Sequence, residues 1–378
     1  MVSHRRRVYL VGPLPPPIFG MSVINAAVFN QLLEAGISPI VIDLAPARLG
    51  RGWSIRLKRM AKVLRELLHF LKLRPQAGDV LYMSVSGGFG QVFESLFAAL
   101  ARILGLRIYL HHHSYAYLDK VRLLPRWLLS IAGPEATHIV LSVRMAARLR
   151  GAYPICSRVI TLSNSVSVEP LVRATVRSRR SVETIGFLGN ISEEKGVFDF
   201  LQVVSRLESE GWKFSAKLAG PFDDAATEKR VRYYLQLVRT AEYVGPKYGD
   251  EKSAFFEGLD VLLFPTRYAN EAEPVTIHEA MAHGVPVIAF GRGSIEDLVT
   301  VECGLVVDKN DDFVKATLLQ LKAWRKSPET FHKASIEARS RFELMFGQSA
   351  SEWAALRAEL CAGVGLLTEA GTSGTAAK

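Results

Sequence analysis

The sequence predicts two doubly wound, Rossmann-like α/β domains in tandem, and three observations carry that prediction. Short apolar runs of strand composition alternate with helical stretches through most of the chain. The runs fall into two sets, separated by a polar, Arg-rich stretch over 168–182. The 378 residues also exceed what one hydrophobic core usually organises.

In the first set, "RRVYLV" reads as a short buried strand and "GPLPPPIFG" as a rigid loop. "MSVINAAVFNQLLEAG" has helical apolar spacing and stops on Gly36. "SPIVIDL" is a second strand, and further strands are expected over 79–85, 107–112, 138–143 and 158–164. The second set places strands over 184–190, 214–220, 241–245, 260–265, 285–290 and 304–308. The expected organisation is a first domain over 1–167, a linker over 168–182 and a second domain over 183–345. A helix over 346–362 is expected to pack back on the first domain, and the tail at 363–378, rich in Gly, Ala, Ser and Thr, to be disordered. Ligands of such sheets sit beyond the carboxyl ends of the strands, so the cleft between the domains is the expected site.

Composition narrows the class. Hydrophobic residues make up 49% and charged residues 22%, which is globular rather than disordered. Cys156, Cys303 and Cys361 are widely spaced, which fits a reducing, cytoplasmic location better than a disulfide framework. The uncharged run from Val8 to Leu33 is long enough to span a bilayer, but Pro13, Pro15, Pro16 and Pro17 interrupt it. Residues 1–167 hold 21 Lys and Arg against 7 Asp and Glu, an asymmetry that suggests an anionic partner for the first half. Nucleic acid is not the expected one: no aromatic-basic RNP pattern or zinc module is present, and the apparent ligand loops lie in the acidic half.

The stretch "NEAEPVTIHEAMAHGVP" (270–286) is the densest in functional residue types. Its two histidines, His278 and His283, are five apart and diverge around a helix, so they do not form the zinc pair that a spacing of four would allow. Pro274 suits the first helical turn, and the free N–H groups from Val275 onward, with the helix dipole, make an anion site. Glu271 precedes that helix and Glu279 lies in its second turn, where carboxylates can accept hydrogen bonds from sugar hydroxyls. A plain acid-capped helix would account for either Glu alone. The loop "NISEEKG", with Lys195-Gly196 ahead of another helix, can bring an ammonium and backbone N–H groups to a phosphate.

These residues resemble a known family. Residues 186–308 are similar to the carboxy-terminal domain of the retaining glycosyltransferases of family 4, which have the GT-B architecture. The E-x7-E signature stands as Glu271 to Glu279, followed by "AMAHGVPVIAF". "GFLGNISEEKG", "LAGP" and "CGLVVD" follow the family order, and "HHHS" and "SNSVS" agree more loosely in the first half. The resemblance implies that Lys195 binds the donor diphosphate, Glu279 the ribose, and Glu271 the transferred sugar. Gly20, in a first-domain loop, would admit the diphosphate. His113 would face donor and acceptor, with His111 and His112 as neighbouring alternatives. Two departures matter: Asn190 stands where the family has a phosphate-binding Arg, with Arg267 the expected substitute, and Glu273-Pro274 replaces a common Phe-Gly, which removes one backbone donor and adds a carboxylate beside the sugar.

The implied reaction is hexosyl transfer from a nucleotide-sugar donor to an acceptor hydroxyl with retention, needing no cofactor and no metal. An epimerase or hydrolase of nucleotide sugars on the same fold is the alternative. In "WSIRLKRMAKVLRELLHFLKLR", Trp53, Leu57, Met60, Leu64, Leu67 and Leu71 form an apolar stripe, with Lys58, Arg59, Lys62 and Arg65 opposite. Residues 51–74 therefore read either as a helix covering the first sheet or as one lying on an anionic membrane. In the second case the acceptor is a lipid-linked saccharide, used for surface polysaccharide or glycolipid at the inner face of the cell membrane.

Overall fold

The computed structural model describes residues 6–45, 53–168 and 179–362. Most of the expected linker and the whole tail at 363–378 lie outside these residues.

The first half runs β1 (Val8–Gly12), α1 (Gly20–Glu34), β2 (Ile40–Asp43), α2 (Trp53–Lys72), β3 (Val80–Val85) and α3 (Gly90–Ile103). It continues through β4 (Arg107–His112), α4 (Ala116–Asp119), α5 (Leu123–Ala132), β5 (Thr137–Val140), α6 (Val143–Ala152) and β6 (Arg158–Thr161). The second half contains β7 (Thr184–Leu188), α7 (Val197–Ser209), β8 (Ser215–Ala219), α8 (Ala225–Leu237), β9 (Ala241–Tyr243) and α9 (Gly249–Glu257). Then come β10 (Val261–Phe264), α10 (Val275–Ala282), β11 (Val287–Phe290), α11 (Ile295–Leu298) and β12 (Gly304–Val307). Two last helices, α12 (Phe313–Lys326) and α13 (Pro328–Cys361), close the described chain.

The strands form two six-stranded sheets, ordered β2-β1-β3-β4-β5-β6 and β12-β11-β10-β7-β8-β9, and every pairing is parallel. This is the doubly wound pair expected from the alternating runs. Central strands such as β3 and β10 are buried along their whole length, which is why they read as unbroken apolar runs. Several strands end earlier than the sequence suggests, β5 and β6 among them. Val143 opens α6 rather than ending β5, because Ser142 caps that helix by accepting from Met145 N–H.

Residues near the end of the sequence tie the halves together. α13 is one continuous helix rather than a separate element starting at 346. Its Ala338, Phe342 and Met345 pack among α10 and β11, while Trp353, Leu356 and Leu360 pack against β1, β3 and β4. Arg179, inside the stretch read as linker, is buried and donates to the carbonyls of Leu259 and His283 at 2.6 and 2.8 Å.

α2 differs most from its sequence reading. It meets the core through Val63 and Phe70, whose ring packs edge-on to Tyr9 at 5.1 Å. Leu67 is only partly buried, and the rest of the described stripe, Leu57, Met60, Leu64 and Leu71, is exposed. Two of the expected outward cations turn inward: Lys62 pairs with Asp43 at 2.6 Å, and the Arg59 guanidinium lies beside Gly90 and Glu94 of α3. The side chains of 51–56, Trp53 included, lie outside the described residues. Among the described residues no helix is long and apolar enough to cross a membrane.

Candidate active site

The carboxyl ends of the two sheets face each other. Ser114, just past β4, donates to Asn270 Oδ1 at 2.8 Å, and the Ser142 and Ser294 hydroxyls lie 3.0 Å apart, beyond β5 and β11. Gly87, after β3, is held so close to Asn270 that a Cβ would sit 1.9 Å from its Oδ1. The cleft expected from the sheet topology is therefore lined by the strand-end loops of both halves.

Within it, Lys195 and Glu271 form one unit. Lys195 Nζ lies 2.5 Å from Glu271 Oε2, which also accepts from Thr266 Oγ1 at 3.1 Å. The ammonium lies 4.9 Å from the Tyr268 ring centroid, in cation–π contact. Gly196 makes this approach possible. Its φ is +83°, and a Cβ would stand 2.1 Å from the Pro265 carbonyl oxygen, so only glycine lets the loop before α7 pass the end of β10.

α10 begins at Val275, with Pro274 as its cap residue one position earlier than the sequence reading placed the first turn. The first hydrogen bond of this end runs from Ile277 N–H to Pro274 O at 3.1 Å, so the N–H groups of Val275 and Thr276 lie ahead of the ladder. Glu279, a turn further on, meets Lys252 of α9 at 2.5–2.6 Å. Burial pushes its carboxyl above the ordinary range, and Lys252 opposes that shift. Lys252 had no motif in the sequence to announce it. Only the fold brings "GDEKSAFFE" against α10.

Three histidines end β4, and the structure separates them. His111 is buried and bonded to Tyr82 OH at 2.7 Å; His112 is buried and bonded to Tyr117 OH at 2.6 Å. His113 alone is partly exposed; its Nε2, like that of His111, is buried without a hydrogen-bond partner. Burial of the ring lowers its pKa to about 3, so the imidazole is neutral at physiological pH. Gly20 is the first residue of α1 rather than part of a loop, and a Cβ there would meet nothing within 4 Å. Asn190 follows β7, half-buried.

Two expectations change. Arg267 does not stand free to replace the missing cation: it is ion-paired to Asp199 of α7 and lies 4.3 Å over the Phe290 ring. Replacing Arg267 by alanine is therefore expected to change donor affinity less than about threefold, the scale of one exposed pair, as titration calorimetry would measure. Glu273 adds no carboxylate to the donor pocket. It is buried, accepts from Asn164 N–H at 2.5 Å and Ser163 Oγ at 3.0 Å, and so joins the second half to the first. His278 Nε2 stands 3.6 Å from the same carboxylate, while His283 meets Ser253 Oγ at 2.9 Å.

An ammonium, a free helix N-terminus and two carboxylates at the mouth of facing parallel sheets can hold an anionic, hydroxyl-bearing ligand. Residues 182–322 match the family model described as glycosyl transferases group 1. The chain is 30% identical over 130 residues to the capsular polysaccharide biosynthesis glycosyltransferase CapM of Staphylococcus aureus, covering 34% of this chain and 33% of that protein. It is 27% identical over 187 residues to a putative colanic acid biosynthesis glycosyltransferase, WcaL, of Salmonella typhimurium, covering 46% of this chain and 45% of the relative. The chain thus spans between a third and a half of the length of these relatives. Among solved structures, sucrose-phosphate synthase from Thermosynechococcus elongatus superposes with a TM-score of 0.71 at 16% identity, over 94% of this chain and all of that one. HepE of Anabaena, in complex with UDP, gives 0.62 at 15% identity, over 92% and 100%. The architecture is GT-B.

Proposed function

We propose that this chain is a retaining glycosyltransferase that moves a hexosyl group from a nucleotide sugar to an acceptor hydroxyl, in the building of a surface polysaccharide or glycolipid. The observation that carries the reading is the Lys195–Glu271 unit beside the open N-terminus of α10, at a cleft closed by the first sheet's loops. Without donor, Glu271 neutralises Lys195. A diphosphate entering the cleft would share the ammonium and take the Val275 and Thr276 N–H groups, so the leaving charge meets preorganised donors. That supply of positive charge supports a metal-independent reaction, with Glu279 taking ribose hydroxyls and Glu271 the sugar. Neutral His113, with its Nε2 unpartnered, can hydrogen-bond a sugar hydroxyl without adding charge. Attack from the face of the departing diphosphate, with the phosphate helping to take the proton, accounts for retention.

The acceptor is proposed to be a lipid-linked saccharide, met at the inner face of the cell membrane, where the exposed stripe of α2 touches anionic lipid. A thermal-shift panel of nucleotide sugars tests the core of the reading. The matching donor at ~100 times its Kd is expected to stabilise the fold by ~2.7 kcal/mol. UDP-glucose is the first to try, since HepE has been seen bound to it. If no nucleotide sugar raises the melting temperature, the reading fails. Epimerisation or hydrolysis of the donor without acceptor would replace it with the alternative enzyme class.

A further inference from the structure

The exposed apolar stripe of α2 is part of a larger surface. α3 lies beside α2, with Phe97 stacked edge-on to Phe70 at 5.8 Å. α5 lies beside α3, where Arg102 donates to the Ser130 and Ile131 carbonyls at 3.1 and 3.0 Å. All three helices bury their inner sides in one cluster on the same face of the first sheet.

Their outer sides carry large apolar groups. On α2 these are Leu57, Met60, Leu64, Leu68 and Leu71, all more than two-fifths exposed. On α3, Phe89, Leu96 and Ile103 repeat every seven residues, opposite the buried Glu94, Phe97 and Ala101, and Ile103 is 80% exposed. At the α4–α5 turn Val121, Leu123 and Trp127 are exposed, Trp127 by 63%. Apolar surface this extended is unusual on a monomer and marks a contact.

The charge around it identifies the partner. Lys58 and Lys72 on α2, and Lys120, Arg122 and Arg126 around α5, are exposed. Every acidic residue between 57 and 132 is buried or paired: Glu66 with Arg65, Asp79 with Arg7, Asp119 with Arg292, and Glu94 under the 86–90 loop. Apolar groups with unopposed cations fit an anionic bilayer surface.

We infer that α2, α3 and the α4–α5 turn together form a membrane-docking platform that seats the first domain on anionic lipid. The platform reaches the active cleft, because Phe89 lies in the loop whose Gly87 abuts Asn270. A saccharide carried on lipid would enter at that edge. This last clause rests on the acceptor reading above; the docking itself does not.

The full chain is floated with vesicles of phosphatidylglycerol and phosphatidylcholine in equal parts, and with phosphatidylcholine alone, at low and high ionic strength. Salt-sensitive flotation with the anionic vesicles is expected. The pair Leu96→Glu and Ile103→Glu on α3 should lower the bound fraction about tenfold, as should Leu64→Glu and Leu68→Glu on α2, since each swaps insertion for repulsion. Trp127→Phe should keep binding but reduce, rather than abolish, a lipid-induced blue shift in tryptophan emission, since α2 carries a second tryptophan, Trp53. Absence of flotation, an α3 pair that binds like the wild type, or a lipid-free dimer that the α3 pair dissociates would each overturn the platform. Thermal shift by the nucleotide sugar, measured on the same variants, controls for folding and separates the two ideas. If it persists while flotation fails, only docking is lost; if wild type floats without any such shift, only the transferase reading is lost.

Discussion

Replacing Lys195 by alanine is expected to lower kcat by about 10²–10³-fold, the scale measured when one preorganised donor to a developing anion is removed. The variant should remain folded. Glu271 keeps its hydrogen bond from Thr266 Oγ1 at 3.1 Å, and Gly196, which holds the loop against Pro265, is untouched. Loss should therefore appear in turnover and in the thermal shift by nucleotide sugar, with little change in the melting temperature of the free protein. An activity within a few-fold of wild type would remove Lys195 from the donor clamp. Glu271→Gln is a useful companion. It frees the ammonium but removes the carboxylate proposed to face the sugar, so tighter nucleoside diphosphate binding with slower transfer is the expected split.

Replacing Glu273 by alanine is expected to cost about 2–4 kcal/mol, because it strips a charged acceptor from two donors at the junction of the halves. Asn164 N–H is buried and Ser163 Oγ partly so, and the carboxylate that receives them is itself buried. A drop of several degrees in the apparent melting temperature checks this, with activity falling as the domains lose their fixed relation. An unchanged melt would mean that water replaces the carboxylate fully. The same side chain bears on specificity. A position that looked like an added charge in the sugar pocket is withdrawn from it, so specificity must be read from other residues.

Much of the architecture was legible because strand and helix periods are local. Each of the twelve strands falls on a predicted run, and central strands such as β3 and β10 read most plainly, since a parallel strand covered on both faces must be apolar throughout. The Lys195-Gly196 loop and the carboxylates around α10 were legible for a related reason. Glycine at a positive φ and proline at a helix start are backbone requirements, which a sequence states directly. α2 marks where this fails. Its stripe was visible, but helical period alone cannot say whether a stripe meets the sheet or the solvent. In the structure Val63 and Phe70 anchor the helix, and most of the stripe is left outside.

By itself, then, the sequence determined the order of elements, the two parallel sheets and the loops proposed to carry the chemistry, all of which follow from neighbours within a turn or a strand. Only the tertiary structure decided which charges meet. Lys195 finds Glu271 across 76 residues, Lys252 finds Glu279 across 27, and Glu273 reaches Asn164 across 109. Arg267 meets Asp199 across 68 residues. The physical reason is that an ion pair depends on where two backbones are brought, and no local period encodes the distance between them.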